Sequence, residues 1–155
     1  MPIDESLPAH LHTNPTDQQG IIDAFHRCVL AFDYEDAALL QSSVTQDVEI
    51  HFFGQVVKGI DALKTSVFDR VSKLITTHFL SNFRVDVASG KASCSAMAVH
   101  VRPGKGFGVA ANDKYTSGGF YFCDVVKDDN GLWKICRWSF RIVWTEGDRS
   151  VMGTN

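Results

Sequence analysis

Apolar residues recur at steps of three and four over the first half of the chain and at steps of two over the second, so helices are predicted first and strands afterwards. Thr16-Asp17-Gln18-Gln19 has the form of a capping box, with Asp17 in the first turn. Ile21, Ile22, Phe25, Cys28, Val29 and Phe32 follow as one apolar stripe, which predicts a helix ending near Asp33-Tyr34. A short second helix is expected from Glu35 to Ser42, with Ala38, Leu39 and Leu40 apolar. Val48, Ile50 and Phe52 then alternate with Asp47, Glu49 and His51 as a strand. Gly54 begins a turn, and Val56-Val57 start a short return strand that ends at Gly59. Ile60, Leu63, Val67, Val71 and Leu74 return to the helical step. Four strands are predicted after that, over 75–87, 91–102, 114–127 and 132–144. Ser89-Gly90, the Pro103–Gly106 segment and the Asn130-Gly131 hairpin signal separate them.

Helices gathered before a meander of long strands predict an α+β fold. In it a curved antiparallel sheet is packed by N-terminal helices into a cone with an internal cavity. No repeat or linker interrupts residues 16–148, which are read as one domain. Residues 1–15, with three prolines and no periodicity, are read as a flexible arm, and residues 149–155 as a C-terminal tail.

Composition narrows the functional classes. The 155 residues are 45% apolar and 21% charged, with eleven Phe and three Trp, enough to line a cavity as well as fill a core. The net charge of −3 has no basic stripe, so neither nucleic acid nor an anionic membrane is an expected partner. No apolar run approaches the roughly 20 residues of a membrane span, and no secretory signal is visible. Cys28, Cys94, Cys123 and Cys136 form neither a C-x-x-C pair nor a zinc-finger spacing. Cys28, Cys94 and Cys136, each among apolar neighbours, are read as buried free thiols, and reduced thiols predict a cytoplasmic setting. No metal motif appears in the chain, so no metal is expected.

Three polar residues stand in apolar surroundings: Asp33 after Phe32, His78 in Thr76-Thr77-His78-Phe79, and His100 on a strand face shared with Ala92, Cys94, Ala96 and Ala98. That row of small side chains leaves room above the sheet for a histidine to project into. A carboxylate on one imidazole nitrogen fixes its tautomer and stabilises its charged form, and imidazole near neutral pH can accept and return a proton. Each residue also has a plainer reading: Asp33 as a helix N-cap, the histidines as surface or core residues.

The order of elements resembles the SnoaL-like branch of the nuclear-transport-factor-two-like superfamily. The resemblance runs from about Gln18 to Asp148 and rests on short pieces. They are Phe32–Asp36, Gly59–Leu63, Thr77-His78-Phe79, Val99-His100, Asp129–Lys134 and Val143–Asp148. It implies catalytic roles for Asp33, His78 and His100, with Asp33 orienting His78. The scytalone dehydratases of that branch hold a reacting water with two tyrosines, and Phe32 and Phe52 occupy those places here. This departure favours isomerisation or ring closure slightly over dehydration. Tyr34, Tyr115 and Tyr121 are candidates to supply the missing hydroxyls, and Phe32, Phe52, Trp138 and Phe140 to line the substrate site. His51 is expected to face outward.

The resemblance thus implies a cofactor-independent isomerase, cyclase or dehydratase of polyketide-type secondary metabolism. It would act by His/Asp proton transfer on a polycyclic carbonyl or phenol, a small-molecule substrate. A homodimer through the sheet face bearing Met97, Val99 and Val101 is expected. The alternative is a non-catalytic ligand-binding or dimerisation module of the same fold.

Overall fold

The computed structural model describes residues 5–153. Helix α1 (Asp17–Tyr34) starts at the capping box: Thr16 Oγ1 accepts from the Gln19 N–H at 3.2 Å, and Gln19 Oε1 accepts from the Thr16 N–H at 2.9 Å. It stops where Glu35 turns left-handed, at φ 54°. Its apolar stripe, including Ile21, Ala24, Phe25, Cys28 and Phe32, is buried against the sheet. Helix α2 (Ala37–Ser43) begins two residues later than expected because Glu35 breaks the helix and Asp36, not Asp33, caps it, accepting from the Leu39 N–H at 2.9 Å. Asp33 is therefore left for another partner.

Strands β1 (Val44–Phe52), β2 (Gln55–Lys58), β3 (Ile75–Asp86), β4 (Lys91–Val101), β5 (Lys114–Lys127) and β6 (Trp133–Gly147) form one sheet in the order β2-β1-β6-β5-β4-β3. The architecture is the expected α+β one, with one refinement. β1 runs parallel to β6 while every other neighbouring pair is antiparallel, so the sheet is mixed. Alternation along a strand marks its buried face but not the direction of its neighbour, which is why the pattern does not reveal this pairing.

The sheet bends at register shifts between Ser81 and Arg84, between Gly118 and Gly119, and between Asp124 and Val125. The backbones meet at Gly119, where a Cβ would lie 1.9 Å from the Arg141 carbonyl oxygen. The third helical stretch is not uniform. Helix α3 (Ile60–Leu63) passes through a π-helical turn (Lys64–Phe68) into α4 (Asp69–Val71). Helices and sheet enclose the core, where Phe25, Leu40, Ile50, Leu63 and Ile135 are fully buried.

Arg27 ties the elements together. Its guanidinium donates to Asp23 Oδ2 at 2.7 Å, to the carbonyl of Ser42 at the end of α2, and to the Trp133 carbonyl at the start of β6 at 2.6 Å. After Asp148 the chain makes a further 3-10 turn, Arg149–Met152, with Asp148 as its cap and Val151 buried. All four cysteines are free. Burial pushes the Cys28 and Cys94 thiols up to about 12, so they stay protonated. Residues 1–4 of the expected arm and 154–155 of the expected tail lie outside the described residues.

Candidate active site

A cavity of about 830 Å³ opens between the inner face of the sheet and the α3–α4 stretch. That volume suits a ring compound of drug-like size. Phe52 and Phe140 stack at 5.2 Å with their planes 7° apart, and Tyr121 meets Trp138 edge-on at 5.2 Å. Together with Phe32 these rings form the apolar wall, while His78, His100, Tyr115 and Ser117 form a polar end. Of these five rings only Tyr121 carries a hydroxyl, so Phe32 and Phe52 offer none. The Trp138 indole N–H is buried with no acceptor among the described residues.

Strand pairing assembles the polar end. Thr76 lies opposite His100, and His100 opposite Tyr115; one row away, His78 faces Ala98, and Ala98 faces Ser117. The small Ala98 leaves space beside both imidazoles, whose centroids are 6.0 Å apart at a steep angle. One ligand atom can therefore meet both rings. Asp33, from the last turn of α1, reaches over to β3. Its Oδ1 accepts from Thr76 Oγ1–H at 2.7 Å and from the His78 ring at 2.6 Å, and its Oδ2 accepts from the His78 backbone N–H at 2.9 Å. Burial by itself pushes the Asp33 carboxyl upward. The bonds from His78 and Thr76 more than offset this and hold it below the usual carboxylate range. An ionised Asp33 only accepts, so the proton of His78 sits on Nδ1 and Nε2 is left for the cavity.

His100 is set differently. Its Nδ1 lies 3.3 Å from the Tyr115 carbonyl, which can only accept, so Nδ1 carries the proton and Nε2 the lone pair. Burial first, and then the neighbouring His78 charge, push its pKa down to about 4. The two histidines thus have different partners: His78 has the Asp33 carboxylate beside it, whereas His100 has only a carbonyl and is held neutral. Burial also raises the Tyr121 phenol well above its ordinary value, so that hydroxyl stays protonated.

Of the other candidates, Phe32, Phe52, Tyr115, Tyr121, Trp138 and Phe140 lie on the cavity wall. Tyr34 does not: it packs against the core, because α1 turns that position away from the cavity. His51 faces the opposite side of the sheet, 3.1 Å from Glu49 Oε2. Sequence reasoning missed Thr76, although its position two residues before His78 on the same strand face was a usable signal. It also missed Ser66 and Arg70 on the third helical stretch, and Arg149 and Ser150 in the final turn. Among the described residues no three His, Cys, Asp or Glu side chains are grouped as a metal site would need. No described helix is long and apolar enough to cross a membrane.

The model of the SnoaL-like domain matches residues 15–139. The chain belongs to the SnoaL-like family. It is 37% identical over 152 residues to the terrestric acid biosynthesis cluster protein E of Penicillium crustosum, covering 96% of this chain and 97% of that protein. Among solved structures, the Kfla4162 protein of Kribbella flavida superposes with a TM-score of 0.72 at 21% identity, covering 89% of this chain and 97% of the other. A scytalone dehydratase-like protein of Novosphingobium aromaticivorans gives a TM-score of 0.66 at 22% identity, over 85% and 91% of the two chains. At those identities the two structures speak for the SnoaL-like fold alone.

Proposed function

We propose that this protein is a cofactor-independent enzyme of secondary metabolism that moves a proton on a carbonyl or phenol ring substrate, by isomerisation or ring closure rather than loss of water. The observation that carries the reading is the Asp33–His78 pair, 2.6 Å apart at the end of an apolar cavity with neutral His100 beside it. His78 Nε2 takes a proton from the carbon next to the substrate carbonyl, leaving an enolate. The resulting imidazolium, balanced by Asp33, exchanges its proton with water and delivers one to another carbon of the enolate, so isomerisation is complete with no net gain or loss of protons. His100 accepts a hydrogen bond from a substrate hydroxyl through its Nε2 lone pair. Phe32 and Phe52 on the wall disfavour dehydration, since neither can hold a reacting water. The terrestric acid cluster relative supports a place in secondary metabolism.

The test is incubation with carbonyl intermediates of the terrestric acid and aromatic polyketide types in deuterated water. Deuterium appearing at a ring carbon without loss of water is expected. His78→Ala and Asp33→Asn should slow exchange by roughly 10²–10⁴-fold. Undiminished exchange in both variants would falsify the site assignment.

The reading extends to a homodimer through the outer sheet face. Val101 of the expected face is already covered within the chain, but Phe79, Phe120, Phe122, Val143 and Trp144 are exposed around Met97 and Val99. Next to them Asp86, Lys91, Asp124, Arg137, Glu49 and Lys58 are successive neighbours across all six strands. A row of strictly alternating charge can be matched by a second copy turned about a two-fold axis, which favours this chain as its own partner.

A further inference from the structure

The lining of the cavity contains Arg70, Arg141 and Arg149 and no aspartate or glutamate, in a chain whose net charge is −3. The two arginines that matter here come from different elements. Arg70 is on α4 and Arg149 begins the final 3-10 turn. These elements meet, since a Cβ on Gly153 would lie 3.8 Å from Arg70 Cδ. Among the described residues neither guanidinium has an ion-pair or hydrogen-bond partner, whereas nearby Arg102 is occupied by Asp113, Asp148 and Ser150. Ser66, Ser150 and the two arginines are thus polar groups of one rim, opposite in character to the aromatic wall. The Asp33 carboxylate does not offset them, being committed to His78 and Thr76.

We infer that the substrate is an organic acid. The oxyanion, shared over two oxygens as in a carboxylate or an ionised 1,3-dicarbonyl enol, is taken by Arg70 and Arg149. The ring carbon that exchanges its proton is delivered to His78. A planar guanidinium matches two oxygens bidentately, and positive groups at the edge of a low-dielectric cavity draw in anions. The inference deepens the proposed function and rests on its reading of the cavity as the substrate site.

Three probes test it by calorimetric titration of the full chain: naphthalene-2-carboxylate, its methyl ester, and the enolate of 2-acetylindane-1,3-dione. At least one anion is expected to bind about tenfold or more tightly than the ester. That preference should narrow as salt rises and disappear in the Arg70→Gln/Arg149→Gln double variant. Ester binding should persist in that variant, which shows that it is folded with its cavity intact. The tighter of the two anions identifies the acid type. Equal binding of ester and anions, an anion preference that survives in the double variant, or no binding of any probe overturns the inference. The two readings fail separately. An intact anion preference with no carbon-proton exchange sinks proton transfer alone, and exchange on a substrate bound without preference for charge sinks this inference alone.

Discussion

His100 is the side chain whose protonation folding changes most informatively. Moving its pKa from 6.5 to about 4 means that the unfolded chain binds the proton more readily than the native one between those values. Its contribution to stability is therefore fully present above pH 6.5 and is lost as the pH falls toward 4. The shift corresponds to roughly 3 kcal/mol. Urea unfolding of wild type and His100→Gln at several pH values should show a steeper fall in wild type across that window; parallel curves would remove the case for a buried neutral imidazole. His26, also held below its ordinary value by burial, titrates in both proteins and cancels in the comparison. Asp33 acts in a lower window. Its depressed carboxyl stabilises the fold above 3.8 and loses that contribution as the pH drops below it. As the pH falls toward 4, His100 begins to charge while Asp33, which titrates lower, still holds His78, so exchange activity should decline on the acid side before the pair itself is lost.

At the scale of elements, Arg27 shows how a buried charge fixes geometry. It joins α1 to the last residues of α2 and the first of β6. Those connections hold α1 against α2 and β6, and Asp33, further along the same helix, meets β3. Arg27→Ala would leave the Ser42 and Trp133 carbonyls without their donor, and a loss of about 2–4 kcal/mol is expected by chemical denaturation. Some loss of exchange activity should accompany it if α1 tilts. A change below about 0.5 kcal/mol, the size typical of a surface substitution, would show that the clamp is dispensable. The π-helical turn is the other unusual element. Turns of this type recur at functional sites, and here Lys64–Phe68 precedes Arg70, on the stretch that carries Ser66 and Arg70 to the cavity rim.

For the molecule as a whole, the sheet has two unlike faces. The inner one is consumed by helices and cavity; the outer one exposes aromatic side chains beside the alternating charge row. Light scattering at micromolar concentration should report a dimer, and Phe122→Glu should convert it to a monomer that still folds, because Phe122 is half exposed in the single chain. A wild-type monomer, or a dimer indifferent to Phe122→Glu, would exclude this face as the interface.

Periodicity and punctuation by themselves determined the elements. The capping box at Thr16, the strand from Lys114 to Lys127 and the alternation that puts Ala92, Cys94, Ala98 and His100 on one buried face are local properties, set by neighbours a few residues away. What lay beyond reach was everything that depends on residues distant in the chain. The parallel pairing of β1 with β6, the turning of Tyr34 into the core, the recruitment of Thr76 and the convergence of Arg70 with Arg149 all follow from packing across the fold. The same holds at the site. Sequence named Asp33, His78 and His100, while only the tertiary structure set one imidazole against a carboxylate and buried the other against a carbonyl, lowering the proton affinity of His100. Burial and charge proximity are properties of three-dimensional neighbours, and these the fold alone supplies.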